Sequence, residues 1–223
     1  MINNSMLKMS LFSSLAGLAL LYAGAVQMRP GLTPISKIDN DFVGLKTQIR
    51  GQIIDLSTHS KGHVFLKVKD ESNGVISVPI FSRTKSKLNE NIELLDNIQV
   101  TGKVKDYQGN LELLPEKPEK IKIFHSQPSK ISEINRESIG KKVKIQGNLT
   151  KKRSTSGGSL VLELENNHTS LKVFVPQSIA KSSTFPRIEE KNKIRIAGTI
   201  QLYKNELELI VHNPCNIRII KDS

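Results

Sequence analysis

The stretch that decides the fold occurs twice in the chain. The first copy reads VTGKVKDYQGNLEL over residues 100–113, and the second reads IAGTIQLYKNELEL over residues 196–209. Gly102 and Gly198 are 96 residues apart (198 − 102), and the whole stretch keeps this offset without an insertion. Repetition of this kind indicates that one structural unit is used twice along the chain.

The same offset extends outward from this stretch in both directions. Val43-Gly44 faces Ile139-Gly140, and the Ile-Lys-Ile motif at residue 121 faces Ile-Arg-Ile at residue 217. The chain is therefore predicted to contain two copies of one domain of about 85 residues, behind an N-terminal extension. The predicted segments are an anchor or signal segment, 1–30; a linker, 31–40; a first barrel, 41–125; a second linker, 126–136; and a second barrel, 137–223.

Alternating apolar residues predict β-strands in each copy. From Leu45 to Ile53 every second residue is suited to burial, and the intervening positions are Lys, Gln or Arg. This period of two is typical of a strand with one buried face. Each copy shows three such strands, a polar connector and two more strands, with Gly51 and Gly102 inside the first and fourth strands of copy one. Glycines there suggest sharply coiled strands, as a small closed barrel requires.

This pattern resembles the OB-fold nucleic-acid-binding family, of the type found in anticodon-binding and helicase-associated domains. The residues that carry the resemblance are Val43-Gly44, Gly51, Phe65-Leu-Lys-Val-Lys-Asp70, Gly74, Ile76-Ser-Val78, Gly102 and Tyr107-Gln-Gly-Asn-Leu-Glu-Leu113. The resemblance implies an all-β fold of two tandem five-stranded OB-type barrels after an N-terminal apolar helix. It specifies the ligand only weakly, because a fold does not fix a function.

The charge of the chain favours a polyanionic partner. The formal net charge is +12, and the sequence pI is about 9.8. Such a balance attracts nucleic acid or an anionic membrane over long distances, although it also serves solubility. The single cysteine, Cys215, excludes an intramolecular disulfide and a cysteine-rich zinc site.

The resemblance also implies where a ligand would bind. OB-folds bind single strands across strands two and three, with the loops after strands one and four at the rim. In copy one, aromatic side chains would stack on bases, and lysines or arginines would contact phosphates. The predicted nucleic-acid-binding residues of both copies are Arg50, Lys61, Phe65, Lys67, Lys69, Phe81, Arg83, Lys103, Tyr107, Lys151, Lys152 and Arg153. The alternative is that the lysines form a solvated face and the phenylalanines cap a barrel end.

Copy two departs from this pattern. Glu163 and Glu165 stand where copy one has Lys67 and Lys69, and carboxylates on a binding face repel phosphate. The positive charge of copy two moves to the stretch 150–158, which is predicted to be a basic loop after the first strand. Copy one is therefore predicted to be the main binder.

An uncharged stretch near the N-terminus predicts membrane targeting. Residues 9–28 lack charge, and Lys8 and Arg29-Pro30 flank them. Twenty such residues can form a transmembrane helix, and Ala23-Gly24-Ala25 also fits a signal-peptide cleavage site. Both the membrane anchor and the cleaved signal stay open, and the barrels are expected outside the cytoplasm.

The sequence contains no recognisable catalytic constellation. We find no phosphate-binding loop, zinc signature or nucleophile motif, so we expect no enzymatic activity, cofactor or metal. The favoured function is binding of single-stranded DNA or RNA. One alternative is a protein-interaction scaffold at the membrane or envelope, with a protein partner. Another is an OB-type heme chaperone, for which neither His125 nor His212 lies in a suitable motif.

Overall fold

The computed structural model describes residues 4–27, 31–59 and 61–220, which fall into two units, residues 1–31 and 32–223. The first unit contains helix α1 (Asn4–Gln27). Among the described residues no helix is long and apolar enough to cross a membrane. The predicted stretch 9–28 ends outside the described residues. The predicted flank Arg29-Pro30 lies outside the described residues, as do Ser60 and residues 221–223.

The first barrel is built from β-strands in OB-fold order. Its elements are β1 (Lys46–Thr58), β2 (Val64–Lys69), β3 (Val75–Ile80), helix α2 (Ser82–Lys85), β4 (Asn97–Tyr107), β5 (Asn110–Leu114) and β6 (Ile121–Phe124). The pairings run β1–β2–β3–β5–β4 and return to β1, so five strands close into a ring. All pairings are antiparallel except β3 with β5, and β6 adds a short sixth strand on β4.

The second barrel repeats this topology. Its elements are β7 (Lys142–Ser154), β8 (Leu160–Asn166), β9 (Thr169–Val175), helix α3 (Gln177–Ala180), β10 (Lys193–Tyr203), β11 (Glu206–Ile210) and β12 (Ile217–Ile219). The ring runs β7–β8–β9–β11–β10 and closes on β7, and β9 pairs with β11 in parallel. The predicted all-β fold with two tandem OB-type barrels is confirmed.

A glycine in the first and in the fourth strand of each ring lies against neighbouring backbone. Strand β1 leaves β4 and joins β2 at Gln52, immediately after Gly51. A Cβ at Gly51 would lie 2.5 Å from the carbonyl oxygen of Lys69, and one at Gly102 would lie 2.6 Å from that of Leu114. No side chain fits in this space, so both positions require glycine.

The barrel interiors contain the predicted apolar faces. In β1 the side chains of Thr47, Ile49 and Ile53 are buried, and the alternate positions face outward. The cores consist almost wholly of Ile, Leu and Val, which compensate for the scarcity of aromatic residues. Ala197 and Cys215 of the second barrel also pack against the core of the first barrel, so the two barrels share apolar contacts.

The segments predicted as linkers contribute to the barrels. Ile35 and Ile131 lie in single turns of 3₁₀ helix and are 4% and 3% exposed, as members of the two cores. Thr33 N–H donates to the carbonyl of Gln48, which bonds this segment to β1. The repeated unit therefore begins before residue 41, and residues 32–223 form one compact unit.

A carboxylate fixes the first of these segments to the turn between β2 and β3. Asp70 accepts hydrogen bonds from Ile35 N–H at 2.7 Å, from Ser72 Oγ at 2.5 Å and from Ser72 N–H at 3.1 Å. Partial burial raises the pKa of Asp70, but the hydrogen bonds from Ser72, Ile35 and Gly74 outweigh it and hold this pKa below the ordinary value.

We expect Asp70→Asn to lower the free energy of unfolding by about 1 kcal/mol near neutral pH, a value reduced for solvent screening. Because the folded-state pKa is lowered, the carboxylate stabilises the fold above its unfolded pKa, and this contribution is lost as the pH falls through the folded value. Urea unfolding from pH 7 down to about pH 2.5 measures the difference, which should shrink steadily toward the acid end. The exposed Asp41→Asn serves as the control, and an equal loss in both variants would contradict the role of Asp70.

A buried cluster of charges joins the two barrels. The Asp96 side chain of the first barrel is 0% exposed, and Lys144 Nζ of the second barrel lies 2.5 Å from its Oδ1. Lys144 Nζ also lies 3.2 Å from Glu93 Oε2, and Glu93 further binds Arg195 and Arg218. Alternation along β7 directs Lys144 away from the interior of its own barrel, but the first barrel covers it and leaves it 2% exposed.

Asp96 has a full set of hydrogen-bond donors. His125 Nδ1–H donates to its Oδ2 at 2.8 Å, and Ser126 N–H donates to its Oδ1 at 3.0 Å. Glu93, Asp96 and His125 bring potential metal-ligand atoms within 4.8 Å of one another, but the Lys144 ammonium already occupies the cation position beside the two carboxylates. The geometry is that of a structural ion-pair cluster.

We expect Lys144→Ala to lower the free energy of unfolding by about 3–5 kcal/mol, because Asp96 and Glu93 would then be buried without their counter-ion. Urea unfolding of the full chain measures this loss. The matched control is Lys46→Ala. Lys46 lies at the start of β1, the strand of the first barrel that corresponds to β7, and its ion pair with Glu116 is half exposed. The control should change the free energy by less than about 1 kcal/mol. Equal effects would show that the buried cluster does not hold the fold.

Candidate nucleic-acid interface

The outer face of β2 presents one aromatic ring and two cations in a row. Phe65, Lys67 and Lys69 alternate with buried residues and all point outward, and Phe65 is 41% exposed. On β3 they lie opposite Pro79, Ser77 and Val75. The exposed ring is therefore not a cap on the barrel end. The structure thus brings these three residues together on one open face.

Two loops bound this face at opposite ends. The β1–β2 connection lies beside the end of β3, because Val64 pairs with Ile80. The β4–β5 hairpin lies beside the start of β3, because β5 runs parallel to it with Glu112 opposite Ser77. Tyr107 ends β4 at this hairpin and is 60% exposed. The face thus extends from the first loop to Tyr107.

A row of rings continues the face at the β1–β2 end. Phe81 is 45% exposed, and its ring meets that of His63 edge-on, with centroids 5.3 Å apart. His63 in turn stacks on His59 at 6.0 Å. Ser82 N–H donates to His63 Nδ1, which leaves the Nε2 position of this ring as its N–H donor in the neutral form. His63 lies two residues before Phe65, so both side chains point to the outer side of the barrel. The alternation in the sequence could therefore have placed His63 on this face.

Two exposed cations, Lys61 and Arg83, lie close in sequence to these rings. Lys61 lies in the β1–β2 loop, where its N–H donates to His59 Nδ1. Arg83 lies in helix α2, two residues after Phe81. The arrangement supplies the positive charge that a phosphate backbone requires near a stacking surface.

Two predicted residues lie at a neighbouring cavity. Arg50 and Lys69 both line a cavity of about 850 Å³ beside the turn between β2 and β3. The Arg50 guanidinium carbon lies 5.0 Å from the centre of the Phe124 ring, so this cation rests on an aromatic surface. Asp70 and Glu71 line the same cavity, so its charge is mixed.

Lys103 is not on the binding face. It pairs with Lys46 of β1 and Leu114 of β5, neither of which belongs to the β2–β3 surface. Its ammonium is one of the charges that lower the pKa of Glu116, after the hydrogen bond and charge of Lys46. The structure therefore separates Lys103 from the other predicted residues. The alternation in the sequence correctly predicted that Lys103 points outward. It could not show that Lys103 lies on a different side of the barrel from β2 and β3.

The basic residues of the second barrel lie in a strand and not in a loop. Strand β7 continues to Ser154, past a bulge between Leu149 and Lys151, and Lys151 pairs with Glu163 of β8. The predicted loop at 150–158 is wrong over its first half, since composition alone does not show the register shift at the bulge. In the first barrel β1 likewise continues to Thr58, past its own bulge between Ile53 and Asp55.

These cations already have partners within the chain. Lys151 Nζ lies 2.9 Å from Glu163 Oε2, and Lys152 Nζ donates to the carbonyl of Ile188 at 2.9 Å. The hydrogen bond from Lys151 lowers the pKa of Glu163. The carboxyl group therefore stays ionised, and the Lys151 ammonium balances its charge. Lys172 forms a further ion pair with Glu206. The equivalent face of barrel two is thus a network of internal ion pairs, with Arg153 exposed beside it.

One acidic group lies at the far end of the barrel-one face. Glu112 lies on β5 opposite Ser77, and its partial burial raises the pKa of this carboxyl. Asp55 is another acid beside the row, opposite Lys67 on β1. Lys142 of the second barrel lies 4.0 Å from Asp55 and donates to the carbonyl of Ile54. Only the docking of the two barrels brings Lys142 to this face, and the sequence contains no local signal for it.

Comparison with known proteins gives one family match, in the first barrel. Residues 47–121 match the family described as OB-fold nucleic acid binding domain, a range that runs from β1 to the first residue of β6. The match agrees with the sequence resemblance. No curated protein sequence matches the chain.

Several solved structures resemble parts of the chain. Asparaginyl-tRNA synthetase from Pyrococcus horikoshii is 14% identical over 44% of this chain and 24% of that one, with a TM-score of 0.38. The tetrameric p202 HIN2 is 15% identical over 79% and 93% of the two chains, with a TM-score of 0.45. A replication protein A heterotrimer bound to ssDNA is 12% identical over 36% and 58%, with a TM-score of 0.30. The chain spans about a quarter of the synthetase, and identities this low concern the fold alone.

Proposed function

We propose that this protein binds single-stranded nucleic acid, without catalysis, across the β2–β3 face of its first barrel. The observation that carries the proposal is the outward row on β2, an exposed Phe65 followed by the exposed ammonium groups of Lys67 and Lys69. The family matched by this barrel is described as nucleic-acid-binding. The net charge of +12 adds long-range attraction for a polyanion.

The chemistry of the face favours a single strand over a duplex. Unpaired bases can stack on Phe65 and on the ring of Phe81, whereas bases in a duplex are covered by their neighbours. Each such stack contributes about 1–3 kcal/mol, and the lysines contact the phosphates between the stacked bases. The residues Lys61 and Arg83 add charge at the end where the strand passes the β1–β2 loop.

The second barrel has a different part in this proposal. Its outer β8 face bears Glu163 and Glu165 in the places of Lys67 and Lys69, and Glu163 forms an ion pair with Lys151. This face therefore offers no free lysines there and no aromatic ring in the place of Phe65. The second barrel supports the first barrel, to which the Asp96–Lys144 cluster fixes it.

We expect the triple substitution Phe65→Ala, Lys67→Ala, Lys69→Ala in the full chain to weaken single-strand binding at least a hundredfold, because it removes one stack and two phosphate contacts. Fluorescence anisotropy with labelled single-stranded and duplex oligonucleotides over a salt series measures this. The slope of log affinity against log salt should decrease by about 1.4, which corresponds to two lost contacts with a single strand.

The matched control for charge is Lys151→Ala with Lys152→Ala, which removes the same number of positive charges from the second barrel. It should change the affinity less than about threefold, since both ammonium groups are bound within the chain. Equal losses in the two variants would reduce the activity to general charge attraction. An unchanged affinity in the triple variant would overturn the site, and no binding at low salt would favour a protein-interaction scaffold.

Export from the cytoplasm stays a prediction from the sequence, as does cleavage after Ala25. Its basis is the uncharged stretch 9–28 with the small residues Ala23 and Ala25 at signal-peptide spacing. Mass spectrometry of the protein purified from its native cells measures the N-terminal residue. A mature chain that begins at Val26 would show a cleaved signal, and a retained N-terminal segment would show the membrane anchor instead.

A further inference from the structure

A row of exposed side chains crosses four strands of the first barrel, starting from the end of the proposed binding face. Lys69 of β2 pairs with Gln52 of β1. Gln52 also pairs with Asn97 of β4, which pairs in turn with Phe124 of β6. All four side chains are exposed, and we call them the cross-strand row. Because neighbouring strands lie about 4.8 Å apart, this row continues the outer surface beyond Lys69 for about 14 Å.

The cavity of about 850 Å³ beside the β2–β3 turn lies on the cross-strand row. Lys69, Gln52 and Asn97 of the row all line this cavity, together with Arg50. Its volume is within the range of small-ligand pockets. The acidic residues of the cavity belong to the turn between β2 and β3, whereas β1 and β4 contribute a guanidinium group and two amides. A phosphate group is therefore expected on the β1 side of the cavity, beside Arg50.

The far end of the cross-strand row offers a surface for stacking. The Phe124 ring is 41% exposed, and the guanidinium carbon of Arg50 lies 5.0 Å from its centre. Bases stack both on aromatic rings and on guanidinium planes, and the guanidinium group also attracts phosphate. The cross-strand row therefore combines a phosphate-binding cation at Lys69 with a stacking surface at Phe124. The β2 row of Phe65, Lys67 and Lys69 has the same two components.

The second barrel uses the equivalent surface for docking. The residue that corresponds to Arg50 is Gln146, at the offset of 96 (146 − 50). Its Oε1 accepts hydrogen bonds from Arg195 at 2.9 and 3.1 Å, and Arg195 binds Glu93 of the first barrel. In place of Phe124 the second copy has an isoleucine, at position 220. Only the copy in which this surface is exposed therefore has the cation and the aromatic ring.

We propose that the bound single strand turns at Lys69, crosses β1 and β4 through this cavity, and stacks a base on Phe124 and Arg50. The proposal rests on the proposed function, because the strand reaches Lys69 along the β2 row. From Phe65 to Lys69 the β2 row covers about 13 Å, which holds about four nucleotides at a stacked spacing of about 3.4 Å. The cross-strand row adds about 14 Å, so the complete site takes about eight nucleotides.

Two fluorescent probes test this path, because the chain contains no tryptophan. Phe65→Trp places an indole at the start of the β2 row, Phe124→Trp places one at the end of the cross-strand row, and a stacked base quenches either indole. Each full-length variant is titrated with oligo(dT) of about four and about twelve nucleotides. The longer strand should quench both variants at the same midpoint, with one strand bound per protein. The shorter strand should quench Phe65→Trp at a midpoint at least about tenfold lower than that of Phe124→Trp.

The titrations separate failure of this path from failure of the proposed function. Quenching of Phe65→Trp alone by the longer strand would overturn the path and leave the β2 row as the site. Different midpoints in the two variants, or two strands per protein, would indicate separate sites and would also overturn the path. If the longer strand quenches neither variant, the path is overturned, and the proposed function is overturned as well if the unmodified protein shows no change in anisotropy.

The double substitution Arg50→Gln with Phe124→Ala measures the contribution of the far end of the row. It should weaken binding of the longer strand at least about tenfold and lower the salt slope by about 0.7, because one stack and one phosphate contact are lost. Binding of the shorter strand should change less than about threefold. The matched control is Tyr203→Ala, which removes a 55% exposed ring of the second barrel with the Lys204 ammonium 5.4 Å from its centre. The control should change neither affinity more than about threefold, and equal losses for both strand lengths in the double variant would overturn the inference.

Discussion

The contact between Asp96 and Lys144 determines how the rest of the structure can act. The carboxylate is fully buried and the ammonium nearly so, and each belongs to a different barrel. Removing two charges from water has a large unfavourable free energy. The ion pair offsets it only in a geometry where every donor and acceptor is paired. Asp96 meets this condition through Lys144, His125 and Ser126, so one relative placement of the barrels is favoured over others of similar apolar contact.

The repeat explains why the barrels dock in one direction. Lys144 corresponds to Gln48 of the first copy, and Asp96 corresponds to Asn192 of the second, each at an offset of 96 (144 − 48, 192 − 96). Only the second copy has the cation, Lys144, on this face of its first strand. Only the first copy has the anion, Asp96, in the connector that covers this face. Arg195 corresponds in the same way to Gln99. Divergence between the copies has therefore given two equivalent folds unequal surfaces, one for docking and one for a ligand.

The sequence predicted those features that depend on a single strand or a single barrel. Alternation along β2 placed Phe65 and Lys67 outward, and glycines at 51 and 102 indicated closure, because both effects are local. Lys144 shows the limit of this reasoning. Alternation correctly indicates that it points away from its own barrel, but no periodicity shows what covers that side.

The misassigned loop at Lys151 has a different cause. A bulge shifts the register between Leu149 and Lys151, so the alternation restarts in another phase and the residues beyond it look irregular. The first copy has the same shift between Ile53 and Asp55. Comparison of the copies could have shown that both strands continue past this point. The partners of Lys151 and Lys152 could not have been predicted, since Glu163 and Ile188 approach only in the folded barrel.

The docking constraint and the proposed ligand face meet beside Asp55. Because the Asp96–Lys144 contact fixes the second barrel, the Lys142 ammonium is held beside the carbonyl of Ile54 and the carboxylate of Asp55. A barrel attached by a flexible linker could share the binding of a strand, but it could not hold a cation at a fixed place beside the β2 face of its neighbour.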